Sequence, residues 1–242
     1  MDLLDILIFN KLKNLKGGGG VTPTGTINIT QNGETDVTNY ATANVQVVPS
    51  FPHEFLSYII QSSGEYINTG FGANETEYTI ECKCRTKAST NGFILGNFET
   101  IEGNPQYGIG ALYYSNTSPN RLKAFYADNQ ESNIDYFGMN TDNIIVAKFS
   151  TTKIEGTFNG TAFSFDVTSS PNNSNLAIFK RCIGETNFPG YLTFYYLRIY
   201  DKNNNLVRYF VPAKDNQNTI CLFDMVSGTY YYNQGTGAFT GA

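Results

Sequence analysis

A period-two pattern near the C-terminal end of the chain constrains its fold more than any other feature. Apolar and aromatic residues alternate with polar ones over 191–200, with Phe194 and Tyr196 in the same phase, and a second such run spans 206–211. The segment between them, Asp201 to Asn205, is polar and rich in asparagine. Alternation of this kind is typical of half-buried strands, and an Asn/Asp cluster between two such runs favours a turn. The sequence therefore predicts an antiparallel hairpin here.

Similar runs recur at short intervals from residue 58 onward. The clearest turn is Asn159-Gly160, because Asn-Gly between two alternating runs is the strongest short hairpin signal. Many short strands with frequent turns and almost no helical periodicity indicate an all-β antiparallel sandwich. The predicted strands cover 58–71, 77–85, 92–97, 107–114, 121–127, 143–149, 153–158, 161–167, 176–179, 191–200 and 206–211.

Three segments carry a family resemblance. The entry run YIIQSSGEYINTGF at 58–71 and the closing runs VRYFVP and LFDMVSGTYYYNQGTGAF resemble concanavalin-A-like (laminin-G-like) domains of bacteriophage tail and fibre proteins. The resemblance implies a jelly-roll sandwich over residues 51–242. It also implies a domain that binds and is displayed, since most such domains do not catalyse.

The first sixteen residues form an amphipathic block. Acidic Asp2 near its start and basic Lys13 and Lys16 near its end suit a helix dipole. The four glycines Gly17 to Gly20 then supply a flexible tether, so residues 17–22 are interpreted as a linker. We interpret residues 1–16 as a virion anchor, and the alternative is a helix folded back on its own domain. The apolar stripe comprises Leu3, Leu4, Leu7, Ile8, Leu12 and Leu15.

Residues 23–50 form a separate small β module. Thr26 to Ile29 and Ala43 to Val47 alternate, and Asn32-Gly33 supplies a turn between them. The segment resembles a short module, GTI-x-IT-x-NG, that recurs near the N-terminus of phage tail and fibre proteins. So few residues cannot bury a core alone, so the module must pack on a neighbouring copy, on the main domain or on the virion, and oligomerisation is the favoured interpretation. The resemblance implies a homotrimer, the usual state of phage fibres.

Composition limits the partners of this chain. Its formal net charge is -5, which argues against nucleic acid, whose phosphates are bound by lysine and arginine. Charged residues make up only 15% of the chain and aromatic residues 14%. A surface kept polar by amides and hydroxyls suits sugars and protein packing, and we expect neither nucleic-acid binding nor insertion into a membrane.

The four cysteines are too few for a disulfide scaffold in a chain of this length. Cys82 and Cys84 are two residues apart on a predicted strand, so both face one side of the sheet and are interpreted as small buried residues. The sequence leaves open whether Cys182 and Cys221 form a disulfide.

No secretion signal is apparent, because the apolar stretch from Leu3 carries acidic flanks. We expect synthesis in the bacterial host cytoplasm and a place on the virion surface.

No catalytic constellation is apparent. Glycosidases with this fold use a Glu-x-Asp-x-Glu run on one strand, which this chain lacks. Glu99 and Glu102 are misaligned for that role, and Glu75 and Glu77 lie at a strand entry. The only histidine, His53, directly follows Pro52 in a linker segment. The expectation is therefore a protein that is not an enzyme and holds no cofactor. Calcium lacks a ligand motif, although oxygen ligands are available at Asp128, Asn129, Asp135 and Asp142.

Sugar binding requires an aromatic face beside convergent polar groups. The best local match is the run from Tyr107 to Asn120, where tyrosines at a strand end precede an asparagine-rich loop. Cross-strand packing is the alternative role for these rings, and for the run Tyr230 to Tyr232 it is the favoured one. The predicted carbohydrate-binding residues are Tyr107, Tyr113, Tyr114, Asn116, Asn120 and Tyr126.

These observations converge on a phage virion surface protein of the head- or tail-fibre, receptor-binding type. Its N-terminal segment would contact other virion proteins, and its lectin-like domain would adhere to host-surface or mucus glycan through many weak sites. One alternative is a structural decoration or adaptor protein of the capsid or tail with no glycan ligand. A polysaccharide depolymerase is a further alternative.

Overall fold

The computed structural model describes residues 52–86, 91–101, 104–115, 121–126, 130–136, 138, 140–181 and 191–242, together with one pair of two-residue strands nearer the N-terminus. The chain divides into two compact units, Met1–Ser50 and Phe51–Ala242. In the first unit, β1 (Thr30–Gln31) pairs antiparallel with β2 (Glu34–Thr35). The turn that the sequence predicts at Asn32-Gly33 lies outside the described residues. The predicted helix over 1–16 and the linker over 17–22 lie outside the described residues.

The second unit is built from short and medium-length antiparallel strands. In chain order they are β3 (Glu54–Phe55), β4 (Ile59–Gln61), β5 (Ile67–Asn68), β6 (Glu77–Thr86), β7 (Gly92–Ile101), β8 (Asn104–Ser115), β9 (Arg121–Tyr126), β10 (Gln130–Tyr136), β11 (Asn143–Ser150), β12 (Lys153–Phe158), β13 (Thr161–Asp166), β14 (Ala177–Ile178), β15 (Leu192–Asp201), β16 (Leu206–Lys214), β17 (Ile220–Asp224), β18 (Thr229–Tyr231) and β19 (Thr240–Gly241).

These strands form two sheets among the described residues. The smaller sheet has six strands in the order β10-β9-β8-β7-β14-β5. The larger has eleven strands and follows the order β13-β12-β11-β6-β15-β16-β17-β18, with β3, β4 and β19 paired beside this path. One apolar core contains buried residues from both sheets, including Ile94, Leu112, Ile80 and Phe210. The prediction of an all-β antiparallel sandwich is confirmed.

Strand β6 shows how the sequence pattern produces the sandwich. Every second residue from Tyr78 to Thr86 is buried, and the residues between them are half-buried on the opposite side. Cys82 and Cys84 are fully buried free thiols, as their spacing predicts. Cys221 is also a buried free thiol, so it forms no disulfide with Cys182. The half-buried side chains of β6, which alternate with the buried ones, thus define an outer face of the larger sheet.

Both turns predicted from asparagine-rich segments are present. Asn159 and Gly160 adopt φ of 48° and 85°, which is the left-handed backbone that a two-residue hairpin requires. In the 201–205 turn, the Asp201 carboxylate accepts hydrogen bonds from the backbone N–H groups of Asn203 and Asn205, at 2.9 and 2.8 Å. The Asp201 side chain therefore stabilises the turn that connects β15 to β16.

Strand β15 departs from the predicted alternation. Phe194 lies opposite Cys84 of β6, whereas Tyr196 lies opposite the next residue, Lys83, so the register shifts at Tyr195. This β-bulge places an extra residue on the outer side. Phe194 and Leu197 are buried, and the two tyrosines between them are both half-buried on the outer face. The expectation that Phe194 and Tyr196 share a face is therefore wrong.

No helix occurs in the described part of the second unit. Across the described residues, the chain has no helix long and apolar enough to cross a membrane.

Candidate functional site

The structure separates the residues predicted to bind a sugar. Tyr114 is only 2% exposed and belongs to the core between the sheets. Its hydroxyl accepts a hydrogen bond of 2.8 Å from the backbone N–H of Tyr191. The ring therefore cannot present a face to a sugar, and the assignment of Tyr114 to a binding surface is corrected to a core role.

Tyr113 points to the other side of the smaller sheet. Its half-buried ring lies 4.9 Å from the ring of Phe93, and both belong to a small second apolar cluster with Phe98 and Ala111. Cross-strand packing, the alternative role considered for these tyrosines, accounts for this contact because Tyr113 and Phe93 are register partners.

The other predicted sugar contacts are scattered or undescribed. Tyr107 lies six residues before Tyr113 on β8, which is about 20 Å along a strand. Tyr126 lies at the end of β9, opposite Gln130. Asn116 and Asn120 lie outside the described residues. The structure thus brings no two of these residues into one described site, because even the adjacent Tyr113 and Tyr114 lie on opposite sides of the smaller sheet.

A different surface carries clustered aromatic and charged side chains, and we call it the outer face. It is formed by the solvent side of β6, β15 and β16 in the larger sheet. The face is polar because β6 presents Glu81, Lys83 and Arg85 on one side of the strand. It is aromatic because the β15 bulge adds Tyr195 beside Tyr196. Two hydrogen-bonded clusters result.

The first is the Arg198 cluster, composed of Glu81, Tyr196, Arg198 and Tyr209. Arg198 lies opposite Glu81 on one neighbouring strand and opposite Tyr209 on the other. Its guanidinium carbon lies 5.1 Å from the Tyr196 ring and 4.7 Å from the Tyr209 ring. The Tyr196 hydroxyl donates a 2.8 Å hydrogen bond to Glu81 Oε1. The cluster pairs one cation with one anion between two tyrosine rings.

The second is the Asp142 cluster, composed of Lys83, Arg85, Asp142 and Tyr195. Asp142 Oδ2 lies 2.9 Å from Lys83 Nζ, and its Oδ1 accepts hydrogen bonds from Arg85 Nε at 2.7 Å and from the Tyr195 hydroxyl at 2.9 Å. Lys83 Nζ also lies 4.7 Å from the centre of the Tyr195 ring. This cluster pairs two cations with one anion.

The pKa values reflect these contacts. Burial alone would raise the pKa of Asp142, but hydrogen bonds from Lys83, Arg85 and Tyr195 outweigh it and lower that pKa to about 2. Burial raises the pKa of Tyr196, and its hydrogen bond to Glu81 raises it further. At neutral pH the outer face therefore presents a charged carboxylate at Asp142 and a protonated hydroxyl at Tyr196.

The residues considered for catalysis or calcium have ordinary structural surroundings where they are described. Glu77 pairs with Lys148 at 3.0 Å, and His53 is exposed, with its backbone N–H bonded to the carbonyl of Lys214. Asp142 is engaged by two cations, which disfavours its use as a calcium ligand. Asp128, Asn129 and Glu102 lie outside the described residues, and the side chains of Glu99 and Asp135 are not described. No group of three potential metal ligands occurs in the described part of the chain.

Sequence reasoning missed the outer face, although one signal was present. In the run Phe-Tyr-Tyr-Leu at 194–197, the apolar residues Phe194 and Leu197 are three apart, which breaks strict alternation. A three-residue gap between core positions of a strand indicates a bulge, and bulges often reorient side chains beside functional sites. The two tyrosines inside that gap could have been identified as an outward-facing pair.

No protein-family model matches the sequence, and a search of curated proteins gives no significant match. Similarity appears among solved structures. A crystal structure described as a "putative carbohydrate binding protein" from Bacteroides ovatus matches with a TM-score of 0.54 and 13% sequence identity. The match covers 77% of this chain and 60% of that protein, so the present chain spans less than two thirds of its length. At this identity the likeness shows the sandwich fold alone.

Two other matched structures are enzymes. One is a mutant of Trypanosoma rangeli sialidase, with a TM-score of 0.43 and 12% identity over 52% of this chain and 21% of that one. The other is a family 7 alginate lyase, with a TM-score of 0.38 and 13% identity over 57% of this chain and 66% of that one. Enzymes therefore occur among the matched structures. This finding contradicts the expectation that the chain is not an enzyme, which was drawn from the fold. The two likenesses assign no reaction to this chain.

Proposed function

We propose that the chain is a bacteriophage virion surface protein, of the head- or tail-fibre type, whose sandwich binds glycan on the host surface or in mucus. The sequence resemblance to concanavalin-A-like (laminin-G-like) fibre domains supports the phage assignment. The sandwich fold shared with a structure described as carbohydrate-binding supports the choice of ligand. In this proposal the glycan lies along the outer face of the larger sheet.

The observation that carries the proposal is the group of tyrosines on this open sheet. Tyr195, Tyr196, Tyr200 and Tyr209 are each half-buried, so each ring keeps exposed surface. Tyrosine rings pack against the C–H faces of sugars, and neighbouring charged groups bond the hydroxyls. The contacts to Arg198 and Asp142 hold three of these rings before a ligand arrives. A preordered surface reduces the entropy cost of binding.

The remaining parts of the proposal come from the sequence. Residues 1–16 would dock on another virion protein, residues 17–22 would act as a hinge, and the module at 23–50 would support a homotrimer. Several weak sites in one oligomer bind a glycan-coated surface with a large gain in avidity. The protein would be made in the bacterial host cytoplasm and act on the virion surface.

Glycan binding is tested with the full chain, fluorescently labelled, on a broad glycan array and on host cells. We expect saturable binding that free sugar competes away and that the double variant Tyr195→Ala/Tyr196→Ala abolishes. Tyr232→Ala is the matched control, because this exposed tyrosine lies beyond the end of β18 and outside the outer face. Absence of binding by a folded full chain would overturn the glycan ligand and favour a structural decoration role. Analysis of the bound glycan after incubation would reveal whether it is also cleaved.

The anchor is tested separately by deleting residues 1–16. We expect the truncated chain to remain soluble and to be lost from sedimented virions, whereas the full chain sediments with them. Equal amounts of both chains in the virion fraction would contradict the anchor.

A further inference from the structure

The Asp142 cluster has an imbalance of charge that the Arg198 cluster lacks. Two cations, Lys83 and Arg85, share the one carboxylate of Asp142. In the Arg198 cluster, by contrast, one cation faces one carboxylate. At neutral pH the Asp142 cluster therefore carries one net positive charge, on a chain whose overall formal charge is -5.

The unneutralised charge is accessible. The Lys83 and Arg85 side chains are 31% and 41% exposed. An ammonium has three N–H donors and a guanidinium has five. Both hydrogen bonds from Arg85 to Asp142 leave from Nε and Nη2. The Nη1 group donates to no residue in the described part of the chain, so it retains donors for a ligand.

Both carboxylate oxygens of Asp142 are already engaged in the same geometry. Its Oδ1 already receives bonds from Arg85 and Tyr195, and its Oδ2 receives Lys83. The carboxylate therefore holds both cations in place and cannot neutralise the second one. A second carboxylate that approached from solvent would meet a positioned guanidinium and a positioned ammonium together.

An aromatic surface adjoins these donors. The Tyr195 ring lies beside both cations, with Lys83 Nζ 4.7 Å from its centre, and the centre of the Tyr58 ring lies 6.3 Å from its own. A six-membered sugar ring that bears a carboxylate has an apolar C–H side for such a ring and an anionic edge for the cations. Guanidinium groups recognise carboxylates through strong charge-assisted hydrogen bonds.

We propose that the Asp142 cluster binds the carboxylate of an acidic sugar, so that the glycan recognised by this face contains uronic or sialic acid residues. This inference rests on the proposed glycan-binding function. The Arg198 cluster, which is charge-balanced, would contact neighbouring sugars of the same chain.

The test compares ligands that differ only in their acidic groups. The full chain is titrated with tetragalacturonate and with sialyllactose, each compared with the same oligosaccharide after its carboxyl groups are reduced to alcohols. We expect at least one acidic member to bind about tenfold tighter than its neutral counterpart, as one added charge-assisted hydrogen bond allows. Which of the two pairs shows the difference would identify the class of acid.

Two single variants assign the preference to this cluster. Arg85→Met leaves Lys83 paired with Asp142 and should remove the tenfold preference while binding of the neutral probe persists. Lys148→Met is the matched control, since Lys148 has the same charge, a single partner in Glu77 and a place on the same side of the larger sheet. If Arg85→Met proves unstable by circular dichroism, Lys83→Met makes the same test.

The failures of the two proposals are distinguishable. Equal binding of acidic and neutral probes, or a preference that survives Arg85→Met, would overturn the acidic-sugar site and leave glycan binding intact. Failure to bind any probe, here and on the glycan array, would overturn both.

Discussion

Arg198 and Glu81 are direct cross-strand partners, and Arg198 Nη1 lies within hydrogen-bond distance of both carboxylate oxygens of Glu81, at 3.0 and 3.1 Å. Their side chains are only 18% and 23% exposed, so water screens the pair incompletely. The same guanidinium lies beside two tyrosine rings. The order of the outer face therefore depends on this one ion pair more than on any exposed pair nearby.

A double-mutant cycle should measure that dependence. We expect Glu81→Gln and Arg198→Met to show a coupling free energy of about 1 kcal/mol in urea unfolding, at the upper end for partly exposed pairs. Lys153 and Glu155, which are 3.8 Å apart and 45% and 44% exposed, supply the comparison pair. Their coupling should be about 0–0.5 kcal/mol. Equal coupling in the two cycles would contradict the proposed rigidity of the Arg198 cluster.

Asp142 should make the free energy of unfolding depend on pH in the acidic range. Its pKa is lowered from 3.8 to about 2, because hydrogen bonds from Lys83, Arg85 and Tyr195 outweigh the effect of burial. A carboxyl group with a lowered folded-state pKa stabilises the fold above its ordinary pKa. That contribution is lost as the pH falls through the folded value.

The measurement compares the free energy of unfolding of the natural chain with that of Asp142→Asn across acidic pH. The difference should be constant above about pH 5, should shrink as the pH falls through 3.8 and should reach a constant residual value about one pH unit below the folded pKa of about 2. Other acidic residues with lowered pKa values, such as Asp201 and Asp215, are present in both chains and cancel in the difference. A difference that does not change with pH would show that Asp142 is not paired as described.

Tyr114 should behave as a core residue. Tyr114→Phe removes the acceptor for the Tyr191 N–H and should lower the free energy of unfolding by about 1 kcal/mol. Tyr114→Ala should cost about 3–5 kcal/mol, as loss of a buried ring does. Tyr58→Phe is the control, because the hydroxyl of Tyr58 forms no hydrogen bond with the described residues. If Tyr114→Ala left the free energy of unfolding unchanged, the Tyr114 ring would have to lie on the surface and not in the core.

Much of the sandwich could be predicted from alternation and turn residues. Strands such as β6 and β12 are half-buried, so their sequences alternate and their bounds nearly match the prediction. Strand β17 was not predicted, because Cys221 to Asp224 are all buried and the run therefore shows no alternation. Strand β10 was not predicted either, since its polar sequence at the edge of the smaller sheet looks like a loop.

The candidate site was harder to predict than the fold. Alternation distinguishes two faces of a strand but does not say which face of which sheet gathers polar groups. Tyr113 and Tyr114 were grouped because they are adjacent in sequence, whereas adjacent residues on a regular strand point to opposite sides. Tyr195 and Tyr196 share a side only because of the bulge. Asp142 reaches Lys83 and Arg85 from the segment before β11, a contact that no local pattern encodes.

The described cysteines should be inert in the folded protein. Cys82, Cys84 and Cys221 are fully buried, and burial raises the pKa of Cys221 to about 12. Because the thiolate is the reactive form, iodoacetamide should not alkylate these three residues in the native chain. Peptide mapping after denaturation should show all three labelled. A Cys221 that stays unlabelled until a reductant is added would indicate a disulfide.

Two glycines near one hairpin should differ sharply in their tolerance of alanine. Gly160 has φ of 85° in the Asn159-Gly160 turn, and no atom lies within 4 Å of the position of an added Cβ. Gly160→Ala should therefore lower the free energy of unfolding only by the backbone strain of a left-handed alanine, about 1 kcal/mol.

At Gly156 on β12, an added Cβ would collide with the backbone carbonyl oxygen of Val146. Since that oxygen belongs to the neighbouring strand β11, relief requires a shift of the sheet, and Gly156→Ala should cost about 2–3 kcal/mol. Urea unfolding of the two variants measures both costs, and the reverse order would contradict the β11–β12 register on which the larger sheet depends.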